Sequence, residues 1–513
     1  MPLDVRGFIL ARWTSFILCL STLWGLLQDT KRLPLTQEQH DNKTNEPIDP
    51  IDEDAANAQT SQDTPDKFPL TEEQIEERIE KFIDSISDDA VCRLASQYNG
   101  RRPCSVVRRD RGSFNVCYFV RFSDDVTWVV RIPLDPVIHN VWDKVQSEVT
   151  TMRYIECNTT IPIPHVHAYG RGVELIKGGS TTQAFLIYEC ISGQSLNIRM
   201  LTNASKGQRG QFYDDLINIL AQLRKLEFPK AGSLMPDPDN GSEPIVGGLL
   251  SMATNELQRC CKEQGSLKTF TSEEQYLAYQ YHILSETYRL PTEELSCGQA
   301  QLELFALDSL ANQVPKFTDS PRPNGPFVLA HLDLRCGNII VTDDLRIHGV
   351  IDWEFTGTVP QRLFTPPPWI TGHDLAAVAA IPHDRMYPEF LEVLEAKSAT
   401  SGDCAELRDD WKHLPELTLP MAEIFRHPSS LIRVYYKFIF PMLFKGDRAS
   451  TVPEFFERQD IARTLAVEVK HRVEESMRYT QYLKDHGLFV IDQQSQANQE
   501  WLAKVEQIRK RIE

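Results

Sequence analysis

This chain of 513 residues lacks the signatures of several common chemistries. It has no G-x-x-x-x-G-K-[ST] loop, no G-x-G-x-x-G, no H-E-x-x-H and no G-x-S-x-G. Those absences argue against a P-loop nucleotidase, a dinucleotide-dependent oxidoreductase, a zincin and an α/β-hydrolase. There is no C-x-x-C either. The 11 cysteines are odd in number and scattered, with only Cys260 and Cys261 adjacent. That usage suits reduced thiols and a cytoplasmic setting better than a disulfide scaffold or zinc site. Basic residues are outnumbered, 54 against 72 acidic ones, for a net charge of −18. A nucleic acid or an anionic membrane surface is therefore a poor partner. Much of the excess is local, because residues 28–90 hold 18 acidic and 6 basic side chains.

Long apolar runs are also short here. Within residues 8–27 the uncharged stretch runs from Trp13 to Leu27, with Arg12 interrupting it on the N-terminal side. That is brief for a spanning helix and has no small-x-small cleavage site behind it. Segment 1–34 reads as a membrane anchor, an organelle presequence or a mis-started translation, and it offers the chain's one prospect of membrane contact. Segment 35–68 is polar, acidic and poor in aromatics, the composition of a disordered linker. Order is expected from Leu70. Thr71-Glu72-Glu73-Gln74 is a capping box, and Ile75, Ile79, Phe82, Ile83 and Ile86 follow at helical spacing. An apolar fraction of 41% is enough to bury one large bilobal core or two domains.

What the sequence does have is concentrated in HLDLRCGNIIVTDDLRIHGVIDWE, residues 331–354. His331, Asp333 and Asn338 form H-x-D-x-x-x-x-N. Ile339–Val341 reads as a buried strand, Asp343-Asp344 as a turn, and Ile347–Ile351 as a returning strand that presents Asp352. Kinase-like enzymes use such an arrangement to move a phosphoryl group. Asp333 is the candidate base for an attacking hydroxyl, with His331 bracing its loop. Asn338 and Asp352 are candidate Mg²⁺ ligands, since both supply hard oxygen donors. Arg335 would place positive charge where a γ-phosphate passes. Gly337 is expected to permit an unusual turn before Asn338.

The preceding residues supply matching parts. Ser105–Val107 and Val116–Val120 flank Arg111-Gly112-Ser113-Phe114-Asn115, a hairpin whose tip, Ser113 and Phe114, would cover nucleotide phosphates. The next strand, Trp128–Pro133, carries Arg131 where V-A-I-K would supply a lysine. Arginine keeps the charge but is bulkier and planar. Glu148, on a helix marked by Val145, Val149, Met152 and Ile155, is its candidate acidic partner. Phe185–Tyr188 is a buried strand leading to a hinge, where backbone groups of Glu189 and Ile191 would meet an adenine edge.

On these residues the chain resembles the aminoglycoside phosphotransferase and choline kinase-like superfamily, fungal members in particular. Ile351-Asp352-Trp353-Glu354 stands where protein kinases carry D-F-G, and Pro366-Pro367-Pro368-Trp369 and Asp374-Leu375-Ala376 extend the likeness over roughly residues 90–490. The resemblance implies an α+β bilobal protein-kinase-like fold. Its small antiparallel-sheet lobe and leading helix would occupy 69–192, and a larger helical lobe 193–490, with a C-terminal helix at 491–513. It implies ATP and Mg²⁺ as cofactors and a small-molecule hydroxyl as acceptor, in a monomer or weak dimer. Residues 232–250 and 355–373 are candidate walls of the acceptor pocket. Leu431, Val434, Tyr435 and Phe438 read as a core stripe. Arg131 and the single glycine of the hairpin tip leave open a pseudokinase that binds nucleotide without turnover.

Overall fold

The computed structural model describes residues 68–490 except 180, 240, 242, 262–266, 318–323, 374–382 and 463. The expectations for segment 1–34, nearly all of 35–68, the C-terminal helix at 491–513 and Asp374–Ala376 lie outside the described residues. No helix among the described residues is long and apolar enough to cross a membrane.

The capping box at Thr71 forms as read: the Thr71 hydroxyl accepts from the Gln74 amide (3.3 Å) and Gln74 Oε1 from the Thr71 amide (3.1 Å). It starts helix α1, Glu72–Ser85, which is followed by α2, Asp88–Tyr98, capped by Ser87. Then come strands β1 (Cys104–Arg111), β2 (Asn115–Phe122) and β3 (Thr127–Pro133), helix α3 (Val141–Asn158), and strands β4 (Val166–Val173) and β5 (Gln183–Glu189). They form an antiparallel five-stranded sheet in the order β1-β2-β3-β5-β4. Alternation along a strand sorts its residues to two faces. On β5, Phe185 and Ile187 join Ile79, Val91 and Leu94 of α1 and α2 in one core, whereas Ala184 and Leu186 join Val149 and Met152 of α3 in another. The leading helices thus cover one face of the sheet and α3 the other. α3 ends at Asn158, with Thr159 extended, and the prolines at 162 and 164 keep the following residues from resuming it.

Past the hinge, strand β6 (Gln194–Ser195) precedes helix α4 (Lys206–Arg224), short strand β7 (Glu227–Phe228), and a hairpin of β8 (Ser233–Met235) with β9 (Ile245–Gly247). Segment 232–250 therefore contains a hairpin. Helices α5 (Met252–Cys261), α6 (Glu273–Thr287) and α7 (Cys297–Phe317) lead to β10 (Phe327–Ala330), β11 (Ile339–Val341), β12 (Ile347–Val350) and β13 (Gly357–Pro360). The remainder is helical, with α8 (His383–Ser398), α9 (Gly402–Lys412), α10 (Thr418–Arg426) and α11 (Leu465–Asp485). Leu431, Val434 and Tyr435 are buried in the core of this lobe, with Phe438 packed against it. A π-helical stretch at Tyr435–Ile439 interrupts that stripe. The architecture is α+β and bilobal: a sheet lobe and a larger helical lobe meeting at Glu189–Gly193.

Candidate active site

β11 and β12 pair antiparallel, Ile339 opposite Val350, so the residues flanking the hairpin emerge side by side. The Ile351 amide donates to the Asn338 carbonyl (2.9 Å), and His331 Nε2 meets the Ile351 carbonyl (3.0 Å). A carbonyl only accepts, so Nε2 carries the proton. Burial holds the His331 imidazole below its usual pKa, and the neutral ring braces the loop against Trp353, 4.8 Å away. From the other side, Trp369 Nε1 donates to the Leu334 carbonyl (2.8 Å), so the P-P-P-W segment buttresses the residue between Asp333 and Arg335. Asp215 of α4 clamps the hairpin turn, accepting from Arg346 Nε and Nη2 (both 2.7 Å) and from the Ile347 amide (3.1 Å).

Within this frame Asn338 turns its amide nitrogen toward Asp333, donating to its carbonyl (2.8 Å) and to Oδ2 (3.2 Å). That leaves Asn338 Oδ1 as the end available to a cation. Arg335 Nε lies 3.2 Å from Asp333 Oδ2, with its own side chain largely exposed. Burial pushes the Asp333 carboxyl up to about 6, against the lowering pull of Arg335. Gly337 does not take the unusual conformation expected of it. It has no positive φ, lies in a 3₁₀ turn at Cys336–Asn338, and a Cβ there would meet open space. Left-handed backbone is found instead at Leu345 in the hairpin turn, at Phe355 and at Asp352 itself (φ 68°). Its neighbour Trp353 is pinned by a bond from Nε1 to the Val350 carbonyl (2.9 Å).

Asp352 meets a buried charge cluster. Arg131 binds the carboxylates of Glu148 and Asp352 and lies 3.0 Å from Glu354 Oε1. Lys144, one helical turn before Glu148, pairs with Glu354 and reaches Asn115 Oδ1 (3.1 Å) and Glu148 Oε2 (3.8 Å). Asn115 Nδ2 donates to Glu354 Oε2 (2.8 Å), tying the tip of the β1–β2 hairpin to the segment after Asp352. Burial raises the Glu148 pKa, offset in part by Arg131 and Lys144. Burial, the largest single influence, would raise Asp352 as well, but the charge and hydrogen bond of Arg131, with help from Lys144, together hold that carboxyl below its usual range. Two cations thus face three carboxylates. The hard oxygens of Asn338 and Asp352 fit Mg²⁺, which takes few protein ligands and completes its shell with water and phosphate.

Residues 106–360 match the family model described as the phosphotransferase enzyme family. Those residues form a phosphotransferase-family domain. A curated relative, clavilactone A biosynthesis cluster protein Y of Ampulloclitocybe clavipes, is 26% identical over 245 residues, which are 46% of this chain and 56% of that protein. The chain therefore spans little more than half the length of that relative. Among solved structures, an ethanolamine kinase of Plasmodium vivax aligns over 80% of this chain and 98% of its own, at 15% identity and TM-score 0.40. A macrolide 2′-phosphotransferase of Brachybacterium faecium aligns over 70% and 94%, at 15% identity and TM-score 0.37.

In this phosphotransferase-family domain, His331, Asp333, Arg335, Asn338, Asp352, Arg131 and Glu148 come together as the sequence suggested. Phe114 of the hairpin tip packs edge-on against Phe355 (4.9 Å), and Ser113 beside it is exposed. Glu189 ends β5 with its amide given to the His165 carbonyl (3.0 Å). Ile191 packs over Gly349, where a Cβ would lie 2.3 Å from Ile191 Cδ1, so any larger residue there would make the Ile191 side chain shift. Sequence reasoning missed Lys144, Asn115 and Glu354. The one available signal was the four-residue spacing of Lys144 and Glu148 on a helical face.

A cavity opens beside Asp333, with about 520 Å³ of atom-free space including its mouth. Phe355, Val359 and Leu363 line it, as expected of segment 355–373. The 232–250 hairpin does not; Ser251 and Met252, just after it, do. The other walls come from α6 and α10, which the sequence had not connected to the site.

Proposed function

We propose that this chain is an ATP- and Mg²⁺-dependent phosphotransferase that moves the γ-phosphoryl group to a hydroxyl of a small molecule. One observation carries the proposal. Asp333 lines a cavity, while its loop is bonded directly to the segment that delivers Asp352. Asp333 orients the acceptor hydroxyl and takes its proton, as its raised pKa suits a group that both accepts and releases protons near neutrality. Asn338 and Asp352 hold Mg²⁺, which when bound neutralises phosphate charge. Arg131, positioned by Glu148, anchors the phosphates, and Arg335 offsets charge developing at the mouth. Glu189 and Ile191 border the adenine, and Ser113 and Phe114 cover the phosphates. The relative's place in a biosynthesis cluster, by its printed name, suits a biosynthetic hydroxyl compound as acceptor.

The test is Asp333→Asn. Turnover should collapse while Mg·ATP still binds; turnover equal to wild type would overturn the assignment. One observation favours a second reading, a nucleotide binder without turnover: Arg131 is engaged by Glu148, Asp352 and Glu354, including a proposed metal ligand. Mg·ATP that raises the melting temperature but is never consumed, with any hydroxyl compound, would select that reading.

A further inference from the structure

The cavity beside Asp333 says what kind of acceptor it admits. Its walls are chiefly Leu332, Phe355, Val359, Leu363, Ala422 and Phe425, supplied by the catalytic loop, the β13 region and α10. Polar groups are few: Ser251, Tyr276, Gln280 and Arg426, with Gln280 Nε2 donating to the Tyr276 oxygen (2.7 Å). Asp333 is the only carboxylate among the described residues lining it. The nearby Glu273 lies 3.5 Å from Arg362 and does not line the cavity. Glu423, three residues before Arg426 on α10, is buried and does not line it either.

Arg426 is the second distinctive element. One nitrogen, Nη2, donates to the Leu363 carbonyl (2.8 Å). No salt bridge holds it among the described residues, and burial lowers its pKa from the usual value, with Glu423 only partly offsetting this. A guanidinium has five N–H donors, so several remain for a ligand. An apolar chamber with one arginine and one catalytic carboxylate is poorly suited to a polyamine. One ammonium group could meet the Asp333 carboxylate, but every further one entering would lose its hydration without gaining a counter-charge, and would face Arg426.

Resting on the reading of Asp333 as the group that faces the acceptor hydroxyl, we infer that the acceptor is a mostly apolar, ring-bearing hydroxyl compound. It carries a carboxylate or carbonyl oxygen for Arg426, and polycationic acceptors are excluded. The rings bury against Phe355 and Phe425, the oxygen binds Arg426, and the hydroxyl reaches Asp333.

The probe is 3-hydroxy-2-naphthoate, whose intrinsic fluorescence reports binding to the full chain without nucleotide; 2-naphthol lacks its carboxylate, and neomycin represents polycations. The naphthoate should bind saturably, and neomycin should not compete. Arg426→Met should weaken naphthoate at least tenfold and 2-naphthol little, with Arg426→Lys intermediate. Ala422→Trp should fill the chamber and abolish both. If Arg426→Met fails to fold, Arg426→Lys and Ala422→Trp decide. Naphthoate binding unchanged in these variants, no naphthoate binding, or preferential binding of neomycin would overturn the inference. ATP consumption is measured separately with the same compounds. Naphthoate bound at this cavity with no ATP ever consumed removes the kinase reading and keeps the cavity assignment. ATP consumed with polyamines alone does the reverse.

Discussion

The two flanks of the crevice are built on opposite principles. On the sheet-lobe flank, Arg131, Lys144, Glu148, Asp352 and Glu354 crowd into a buried network joined through Asn115. On the other flank the chamber beside Asp333 is walled by carbon, with a single carboxylate and a single cation. Charge that must meet a constant partner can be satisfied in advance by fixed counter-charges. A chamber for a variable partner gains more from shape and apolar area, which can change without breaking an ionic network.

Asp333 sits where the two flanks meet, so its substitution is the largest expected effect. Asp333→Asn should lower kcat by about 10³-fold or more, and a loss under tenfold would detach the chamber from the chemistry. The charged flank is tested by Arg131→Ala, which strips a buried partner from three carboxylates. Such losses cost about 3–5 kcal/mol, measurable by urea denaturation. A cost below about 1 kcal/mol would show that the network is not held together by Arg131.

The same Asp333 links activity to stability. Its folded pKa, about 6, lies above the ordinary aspartate value of 3.8, so ionising it costs folding free energy. The protonated form is the one favoured by folding. Stability contributed by this group is therefore full below pH about 4 and lost as pH rises through about 6. Asp333→Asn should be more stable than wild type at pH 8, by on the order of 1–3 kcal/mol, with the gain vanishing at pH 4. In wild type, kcat/KM should rise about tenfold per pH unit below 6 and flatten above it. A pH profile flat from 5 to 8 would contradict Asp333 as the base. The smallest effect is expected far from both flanks. Thr71→Ala removes a helix cap at a cost of about 1 kcal/mol and should leave kcat/KM unchanged, which separates loss of stability from loss of chemistry.

The parts legible in the sequence were those written in short-range code. The capping box at Thr71, the strand periods of β2, β3 and β5, and H-x-D-x-x-x-x-N with its hairpin all lie within a few residues of their signals. Arg131 and Glu148 were legible because a strand and the next helix must pack together. Lys144, Asn115 and Glu354 were not, since Asn115 and Glu354 meet across 239 positions of sequence and nothing local announces the contact. The walls of the chamber failed for the same reason: Gln280 and Arg426 come from helices brought together by packing alone. Gly337 misled because glycine near a functional loop suggests a special backbone, while left-handed backbone occurs instead at Leu345, Asp352 and Phe355.

Phe68, just before α1, lies against Tyr479 and Tyr482 of α11, with ring centroids 5.2 and 5.0 Å apart. The leading segment of the sheet lobe is thereby fastened to α11 of the helical lobe, in addition to the covalent hinge at Glu189–Gly193. With the bonds of Arg131, Lys144 and Asn115 to Asp352 and Glu354, the lobes are held at several separate points, and such a clamshell cannot gape as widely as one held at its hinge alone. Trimming the chain to begin after Phe68 would therefore loosen the jaw without touching the teeth.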